Sequence, residues 1–448
     1  MRFFPFHLYR LTTAMKFWLF RRILPSGRGA LIAAVISATM LMGSPITPLY
    51  QLFALLLGLC SVGLIWSWCR RARLAVKRQL PRQAAVGAPL RYELLATNRG
   101  RTLPHWALQE TVPDPRPSAT QFAAATEPGE ARRNRFDRAL GFHRWQWLLH
   151  QNQMFLGGTS PSQDSLAPGA TARLSLTITP QHRGCLVLDD LRVLLPDPFR
   201  FFQRARRVVA AHDEIIVLPR RYRLPALSLI SMSHRSHEGD LSSSQKKGQH
   251  GEFASLREYR RGDPPRLIHQ KSWARLGRPV VVEVEELHLP RFALVLDCFA
   301  RGLEPDFEIA VSIAASLITD SSSADTCMDR LFLSDPHPVM APPHSHHASQ
   351  KLLEALARAH ITEQENFPLL QQQILRHAAD LSGMVAIFTG WSEARASFLA
   401  ALEASGLGVL AIAVCPASVA LPQRVRRIRP HHVEQDLMHL AKGSFASA

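Results

Sequence analysis

The 448 residues predict a multi-domain fold: an N-terminal transmembrane helical hairpin, an antiparallel β-sandwich-like domain and a C-terminal α/β domain. Three observations predict it. Gly29 to Cys69 contains no charged residue. Residues 85–220 alternate apolar and polar positions in short runs broken by turn residues, and from 291 onward apolar strand-like runs alternate with helical patterns.

A helix through 29–69 at about 1.5 Å per residue would reach roughly 60 Å, about twice a ~30 Å hydrocarbon core, so two crossings fit. "GSPITP", Gly43 to Pro48, supplies the turn between helices at about 29–45 and 49–69. A cleaved signal peptide followed by a buried helix is the rival. Against it, the basic stretch upstream is long for such a leader, and no clear cleavage site ends the first span.

Charge orients the hairpin. Lys and Arg number 53 against 36 Asp and Glu, a formal net charge of +17. Arg2, Arg10, Lys16, Arg21, Arg22 and Arg28 precede the apolar stretch, and Arg70, Arg71, Arg73, Lys77, Arg78 and Arg82 follow it. Basic flanks on both sides place both ends in the cytoplasm. Residues 1–28 therefore read as a basic cytoplasmic arm, 29–69 as two transmembrane helices and 70–84 as a juxtamembrane linker. Trp66 and Trp68 suit an aromatic belt at the inner boundary. Cys60 and Cys69 lie in the apolar stretch, while Cys185, Cys298, Cys327 and Cys415 sit in or beside apolar runs. Their spacing gives neither a disulfide framework nor a zinc signature, so reduced, packing cysteines are expected.

Residues 85–220 form the predicted sandwich. In "ARLSLTITP", Leu174, Leu176 and Ile178 alternate with Arg173, Ser175, Thr177 and Thr179, the period-two mark of a half-buried strand. The stretch 113–165 is less regular, and its "FHRWQWLLHQNQMF" reads as a strand face because Trp145 and Trp147 lie two apart. Contact of Trp145, Trp147 and Arg144 with lipid or a partner is the rival there. Residues 221–250 read as a flexible loop in which His234, His237 and His250 lack metal-ligand spacing.

In the α/β region, 291–420, "RFALVLDCFA" is an apolar strand ending in Asp297, followed by a helix with Phe307, Ile309, Ala310, Ile313, Ala314 and Leu317 on one face. "GMVAIFTGW", a helix from Glu393 to Ala404 and "GVLAIAVCP" continue the alternation. Such strands are parallel and covered on both faces, and ligands bind at their carboxyl ends. Asp297 and the Thr389-Gly390-Trp391 turn should share one rim. Residues 421–448 read as a basic tail with Arg424, Arg426, Arg427 and Arg429.

Between loop and α/β region, residues 251–290 open with "GEFASLREYRRGDPPRLIHQKSWAR". Gly251, Glu252, Phe253, Leu256, Arg257, Glu258, Tyr259, Gly262, Asp263, Arg266, Ile268, Ala274 and Arg275 fall at the spacings of a known motif, with Trp273 beside them. On these residues the chain resembles the bacterial domain-of-unknown-function 58 (DUF 58) family. "HRGCLVLDDLRVLLPDPFRFF", with its Asp197 to Phe199 corner, is similar to that family's upstream strand pair. The resemblance implies that the α/β region is a von Willebrand factor type A-like domain. It further implies a membrane-anchored, non-enzymatic scaffold or adaptor in the bacterial inner membrane. The implied partners are a MoxR-type AAA+ ATPase and other membrane or envelope proteins, in complex assembly, maturation or envelope stress.

Two departures stand out. Gln270 replaces the family's usual Trp after the Arg-x-Ile turn. A type A domain's metal loop would hold magnesium through oxygen ligands, but here it reads Asp297, Cys298, Phe299, Ala300, Arg301. At most Asp297 and Thr389 remain as ligands, and no cofactor is expected.

Within the motif, Glu252, Glu258 and Asp263 interleave with Arg257, Arg266 and Arg275, which predicts an internal ion-pair clamp, with a docking surface as its rival. The alternative functions are a nucleic-acid binder, resting on the basic tail, and a metal-dependent enzyme. For the enzyme, the best cluster is His337, His344, His346 and His347, which lacks acidic partners. No nucleophile elbow, phosphate loop or zinc-protease motif supports it.

Overall fold

The computed structural model describes residues 3–41, 47–111, 114–127, 129–130, 133–224, 247–260, 263, 265–285, 291–299, 304–321, 327–333, 339–340, 348–362 and 365–442. These form two compact units, Met1–Pro219 and Arg220–Ala448.

The first unit opens with three helices: α1 (Phe3–Arg22), α2 (Pro25–Leu41) and α3 (Thr47–Cys69). The predicted basic arm is thus largely helical. Among the described residues one helix, spanning Pro48–Cys69, is long and apolar enough to cross a membrane. α2 has 17 residues, about 25 Å at the helical rise and short of a ~30 Å core. Most of the predicted turn at Gly43–Pro48 lies outside the described residues.

Twelve strands follow: β1 (Leu74–Gln79), β2 (Gln83–Ala85), β3 (Leu90–Asn98), β4 (Leu103–Glu110), β5 (Phe155–Gly157), β6 (Gln163–Leu166), β7 (Thr171–Pro180), β8 (Gly184–Leu188), β9 (Leu191–Pro196), β10 (Gln203–Arg207), β11 (Val209–Ala210) and β12 (Asp213–Leu218). They pair as sheets β11-β1-β3-β7-β5, β10-β9-β4-β6 and β2-β12-β8. Leu94, Leu176, Ile178, Trp106, Leu108 and Ile215, drawn from all three sheets, meet in one core, the signature of a sandwich. The alternation in 173–179 is realised: Leu174, Leu176 and Ile178 are buried and the residues between them face outward.

One charged network sits in that core. Arg78 on β1 forks onto Glu110 at the end of β4, with Nη2 to Oε1 at 2.8 Å and Nε to Oε2 at 3.2 Å. Tyr92 on β3 donates its hydroxyl to Glu110 at 3.0 Å, and Arg78 Nη1 reaches Asp213 on β12 at 3.0 Å. Burial and the adjacent carboxylate push the Tyr92 phenol above its ordinary range.

Between β4 and β5 lie three short helices: α4 (Ala119–Ala124), α5 (Arg135–Leu140) and α6 (Phe142–Gln151). The expected strand at "FHRWQWLL" is therefore corrected to helix. Its buried residues Trp145 and Leu148 are three apart, and Gly141, at φ 65°, breaks the chain between α5 and α6. Trp145 packs on Phe122 of α4 and Phe6 of α1.

In the second unit, β13 (Lys247–Glu258) pairs antiparallel with β14 (Val280–Glu285), with α7 (Gln270–Leu276) between them. The rest is β15 (Arg291–Leu296), α8 (Glu304–Ser321), β16 (Cys327–Phe332), β17 (Val339–Met340), α9 (Ala348–Arg358), α10 (Phe367–Arg376), β18 (Gly383–Thr389), α11 (Glu393–Ala404), β19 (Val409–Val414), β20 (Val425–Ile428) and α12 (Val433–Lys442). The sheet runs β17-β16-β15-β18-β19-β20, parallel throughout except at β17. All seven residues of β18 are buried, as double coverage requires. α10 and α11 share one core with Val295, Ala386 and Ala413, and α8 packs along β15, β18 and β19. The domain runs past the predicted limit at 420: Val425 and Ile428 are buried at the ends of β20, so Arg426 and Arg427 belong to a strand of the sheet.

Candidate functional site

Asp297 follows β15 at the carboxyl edge of the sheet, and its side chain is 1% exposed. Oδ1 accepts the Phe299 amide at 2.9 Å; Oδ2 accepts Arg395 Nε at 2.7 Å and the Thr389 amide at 3.2 Å. The Thr389 hydroxyl lies 3.3 Å from the same Oδ2. The two residues predicted to share a rim are therefore in direct contact. Burial pushes the Asp297 carboxyl up, against the pull of Arg395 and the amides.

Arg395 is the member of this site that sequence reading missed. It stands in the first turn of α11, whose cap is Ser392, and its Nη1 lies 3.1 Å from the Ser392 hydroxyl. Nη2 donates to the Phe299 carbonyl, and the guanidinium lies 5.7 Å from the Phe367 ring centroid. A weak signal was present: a helix N-terminus carries partial positive charge, so an Arg in that turn is disfavoured and gains from a carboxylate nearby.

A hard divalent cation does not fit this arrangement. Both Asp297 oxygens already accept N–H donors, Arg395 occupies the Phe299 carbonyl, and a guanidinium stands where a cation would have to sit. Among the described residues no group of three or more His, Cys, Asp or Glu is placed to hold a metal ion. Arg301 and the cluster His337, His344, His346 and His347 lie outside the described residues.

A cleft of about 670 Å³ opens beside the rim, lined among others by Cys298, Leu333, Val339, Lys351, Glu354 and Arg358. Lys351 and Arg358 are two turns apart on α9, so they stand on one face of that helix.

The 251–275 motif is built as a hairpin around an ionic clamp. Arg257 Nη1 and Nη2 meet Asp263 Oδ2 and Oδ1, each at 2.7 Å, and Asp263 also accepts the Arg260 amide at 2.8 Å. Glu258 pairs with Arg278, a partner outside the predicted set. His269 caps α7 by accepting the Ser272 amide, and Gly277 at φ 68° ends the helix. The Tyr259 amide bonds Pro279 across the hairpin, and Ile268 bridges to Val281. Leu256, Trp273 and Leu276 are 40%, 45% and 54% exposed, and Ala274 and Arg275 are exposed beside them. Gly251 lies in β13; Gly262 and the side chains of Glu252, Phe253 and Arg266 lie outside the described residues.

In the first unit the Asp197–Phe199 corner is tied to the apolar helices. Asp197 accepts the amides of Phe201 and Phe202 at 3.0 and 2.8 Å, and Phe202 packs on Ala30 of α2 and Cys60 of α3. A Cβ at Gly63 of α3 would come 2.6 Å from Asp197 Oδ2, and one at Gly27 of α2 would overlap the Phe201 backbone. Glycine at both places lets the corner approach.

No family model and no curated protein matches the chain. Among solved structures, the CARDB domain of a Pyrococcus furiosus protein, in complex with di-metal ions, aligns at 13% identity over 33% of this chain and 89% of its own, with a TM-score of 0.16. A PapD-like domain of a human protein aligns at 12% identity over 31% and 84%, with a TM-score of 0.16. A GH20 exo β-N-acetylglucosaminidase from Vibrio harveyi aligns at 9% identity over 74% of this chain and 60% of its own, with a TM-score of 0.15. At such TM-scores none of these likenesses bears on fold or activity.

Proposed function

We propose that this chain is a membrane-anchored, non-enzymatic scaffold of the DUF 58 type, working with a MoxR-type AAA+ ATPase in the assembly or maturation of membrane or envelope complexes. The observation that carries the reading is the motif hairpin. A forked ion pair fixes its shape, and Leu256, Trp273 and Leu276 stand exposed on it, the aromatic-centred surface that protein partners favour.

The α/β domain is read as von Willebrand factor type A-like. Its rim, with Asp297 held by Arg395, positions a partner and leaves the metal out. α3 is read as the anchor and α2 as the second limb of an inner-membrane hairpin, with both soluble domains in the cytoplasm. Basic flanks support that orientation.

The test is affinity purification of the full chain from membranes under ATP-trapping conditions. An AAA+ ATPase should accompany it and be lost in a Trp273→Glu, Leu276→Glu variant that keeps its melting temperature. Recovery of no ATPase with the unaltered chain would sink the scaffold reading.

A further inference from the structure

α1 has two opposed apolar faces. On one, Phe6 is buried against Phe122 and Trp145, and Thr13 Oγ1 accepts Trp145 Nε1 at 3.1 Å. On the other, Leu8, Leu11, Met15 and Trp18 are 48%, 68%, 61% and 53% exposed. At about 100° per residue these four fall in one stripe roughly 80° wide. Arg10 and Arg21 flank the stripe on one side and Lys16 on the other, and the Arg22 guanidinium lies 4.7 Å from the Trp18 ring centroid. No acidic residue occurs in residues 1–69.

The end of the helix is also tied beside the end of α3. Gln203 Nε2 donates to the carbonyl of Arg21, at the end of α1, at 3.0 Å. Its neighbour Arg204 donates to the carbonyl of Trp68, at the end of α3. Adjacent residues of β10 thus fasten the end of α1 and the end of α3 to one strand. A stripe of Leu, Met and Trp bordered by Arg and Lys, on a helix tied beside an apolar span, matches an interfacial helix.

We propose that α1 is an in-plane membrane helix whose Leu8–Leu11–Met15–Trp18 stripe seats in the headgroup–acyl boundary of an anionic leaflet. The inference rests on reading α3 as a membrane span. It adds that the first unit is bound to the bilayer surface along α1 as well as through its anchor. The cations flanking the stripe meet lipid phosphates, and Trp18 under Arg22 lies at the boundary.

The full chain, reconstituted in nanodiscs of phosphatidylcholine with or without phosphatidylglycerol, tests this by photocrosslinking from p-benzoylphenylalanine placed singly at Leu11, Met15, Thr13 or Leu57. Lipid adducts are expected at Leu11 and Met15, severalfold stronger with phosphatidylglycerol, and not at Thr13. An Arg10→Glu, Lys16→Glu variant should remove most of that enhancement. Leu57, exposed on α3, is the control for the span. Adducts at Leu57 without adducts at Leu11 and Met15 overturn the proposal and leave the span standing. Absence at all three overturns both. Crosslinks from Leu11 and Met15 to a second copy or another protein, in place of lipid, overturn it in favour of a protein interface.

Discussion

The sandwich buries Glu110 between Arg78 and Tyr92; the α/β domain buries Asp297 beneath Arg395. Both carboxylates face a guanidinium, yet their surroundings differ. The Glu110 network joins β1, β3, β4 and β12, which belong to three different sheets, and neither side chain of its ion pair is exposed. It fixes how the sheets register on one another. Asp297 lies instead at the carboxyl edge of a parallel sheet, where such folds place ligands, and its partner comes from α11, the helix that follows β18. One pair is a staple inside a core; the other fills a place where chemistry would be sought. In two further pairs, Arg257–Asp263 and Arg429–Asp436, the guanidinium is progressively more exposed, at 21% and 44%. Burial therefore ranks the expected effects.

The largest loss is expected from Glu110→Ala, which leaves Arg78 charged in the core. Breaking a buried pair by removing one partner costs about 3–5 kcal/mol. Amide exchange of β3 and β4 in the detergent-solubilised full chain should accelerate by the matching factor, and unchanged protection there would remove the staple from the account. Replacing both partners by apolar residues, Arg78→Met with Glu110→Leu, should recover part of the loss, because the two fully buried charges go together; recovery stays partial because Tyr92 and Asp213 lose their partners.

Arg395→Ala should come next, at about 3 kcal/mol, the lower end of the same range, because the Phe299 and Thr389 amides still serve Asp297. Metal provides a second break point for the comparison. Since the guanidinium occupies the cation's place, EDTA and millimolar magnesium should leave the melting temperature of the unaltered chain equal. Stabilisation by magnesium would mean that the rim opens to a cation after all.

These two pairs also mark how far the sequence could be read. Local patterns translated directly: Leu174, Leu176 and Ile178 alternate in sequence and are buried in β7, and the apolar run of β18 is buried throughout. Asp297 and Thr389 were placed on one rim because strand ends converge in parallel sheets. "FHRWQWLL" misled, because Trp145 and Trp147 show a period of two while the buried residues are Arg144, Trp145 and Leu148. The Arg78–Glu110 pair was illegible, since its members lie 32 residues apart on separate sheets and no local period connects them. Arg395 was legible in principle, from the electrostatics of a helix N-terminus. Within the motif, Asp263 found Arg257 as expected, while Glu258 found Arg278. Charge interleaving restricts the candidates for an ion pair, but chain geometry chooses among them.

The motif clamp tests the middle of the ranking. Its two side chains are 21% and 17% exposed, so water relieves part of what either would lose. Asp263→Ala should cost about 1–2 kcal/mol, as befits a charge-assisted pair at a partly open site. Arg257→Lys should cost roughly half as much, because a single ammonium keeps the charge and loses the fork. Equal effects of the two would mean that charge alone, without geometry, holds the hairpin. Unchanged stability together with loss of the ATPase would shift the motif from clamp to contact surface.

The smallest effect is expected where α12 meets β20, and it carries a sign opposite to that at Asp297. Asp436 accepts the Arg429 backbone amide at 2.8 Å and the guanidinium at 2.6 and 3.0 Å, contacts that hold its carboxyl below the ordinary range. A carboxyl depressed in the folded state stabilises fully above its unfolded pKa, about 4, and loses that contribution as pH falls through the lower folded value. Asp297, which burial pushes up, works the other way: its protonation as pH falls relieves the cost of a buried charge. Amide exchange of α12 should therefore rise below about pH 4 while that of β15 and β18 lags behind it. Asp436→Asn should flatten the α12 profile at a cost smaller than any of the substitutions above. If both regions lost protection together, the two carboxylates would not be titrating in opposite senses, and the distinction between a surface pair and a buried rim pair would fail.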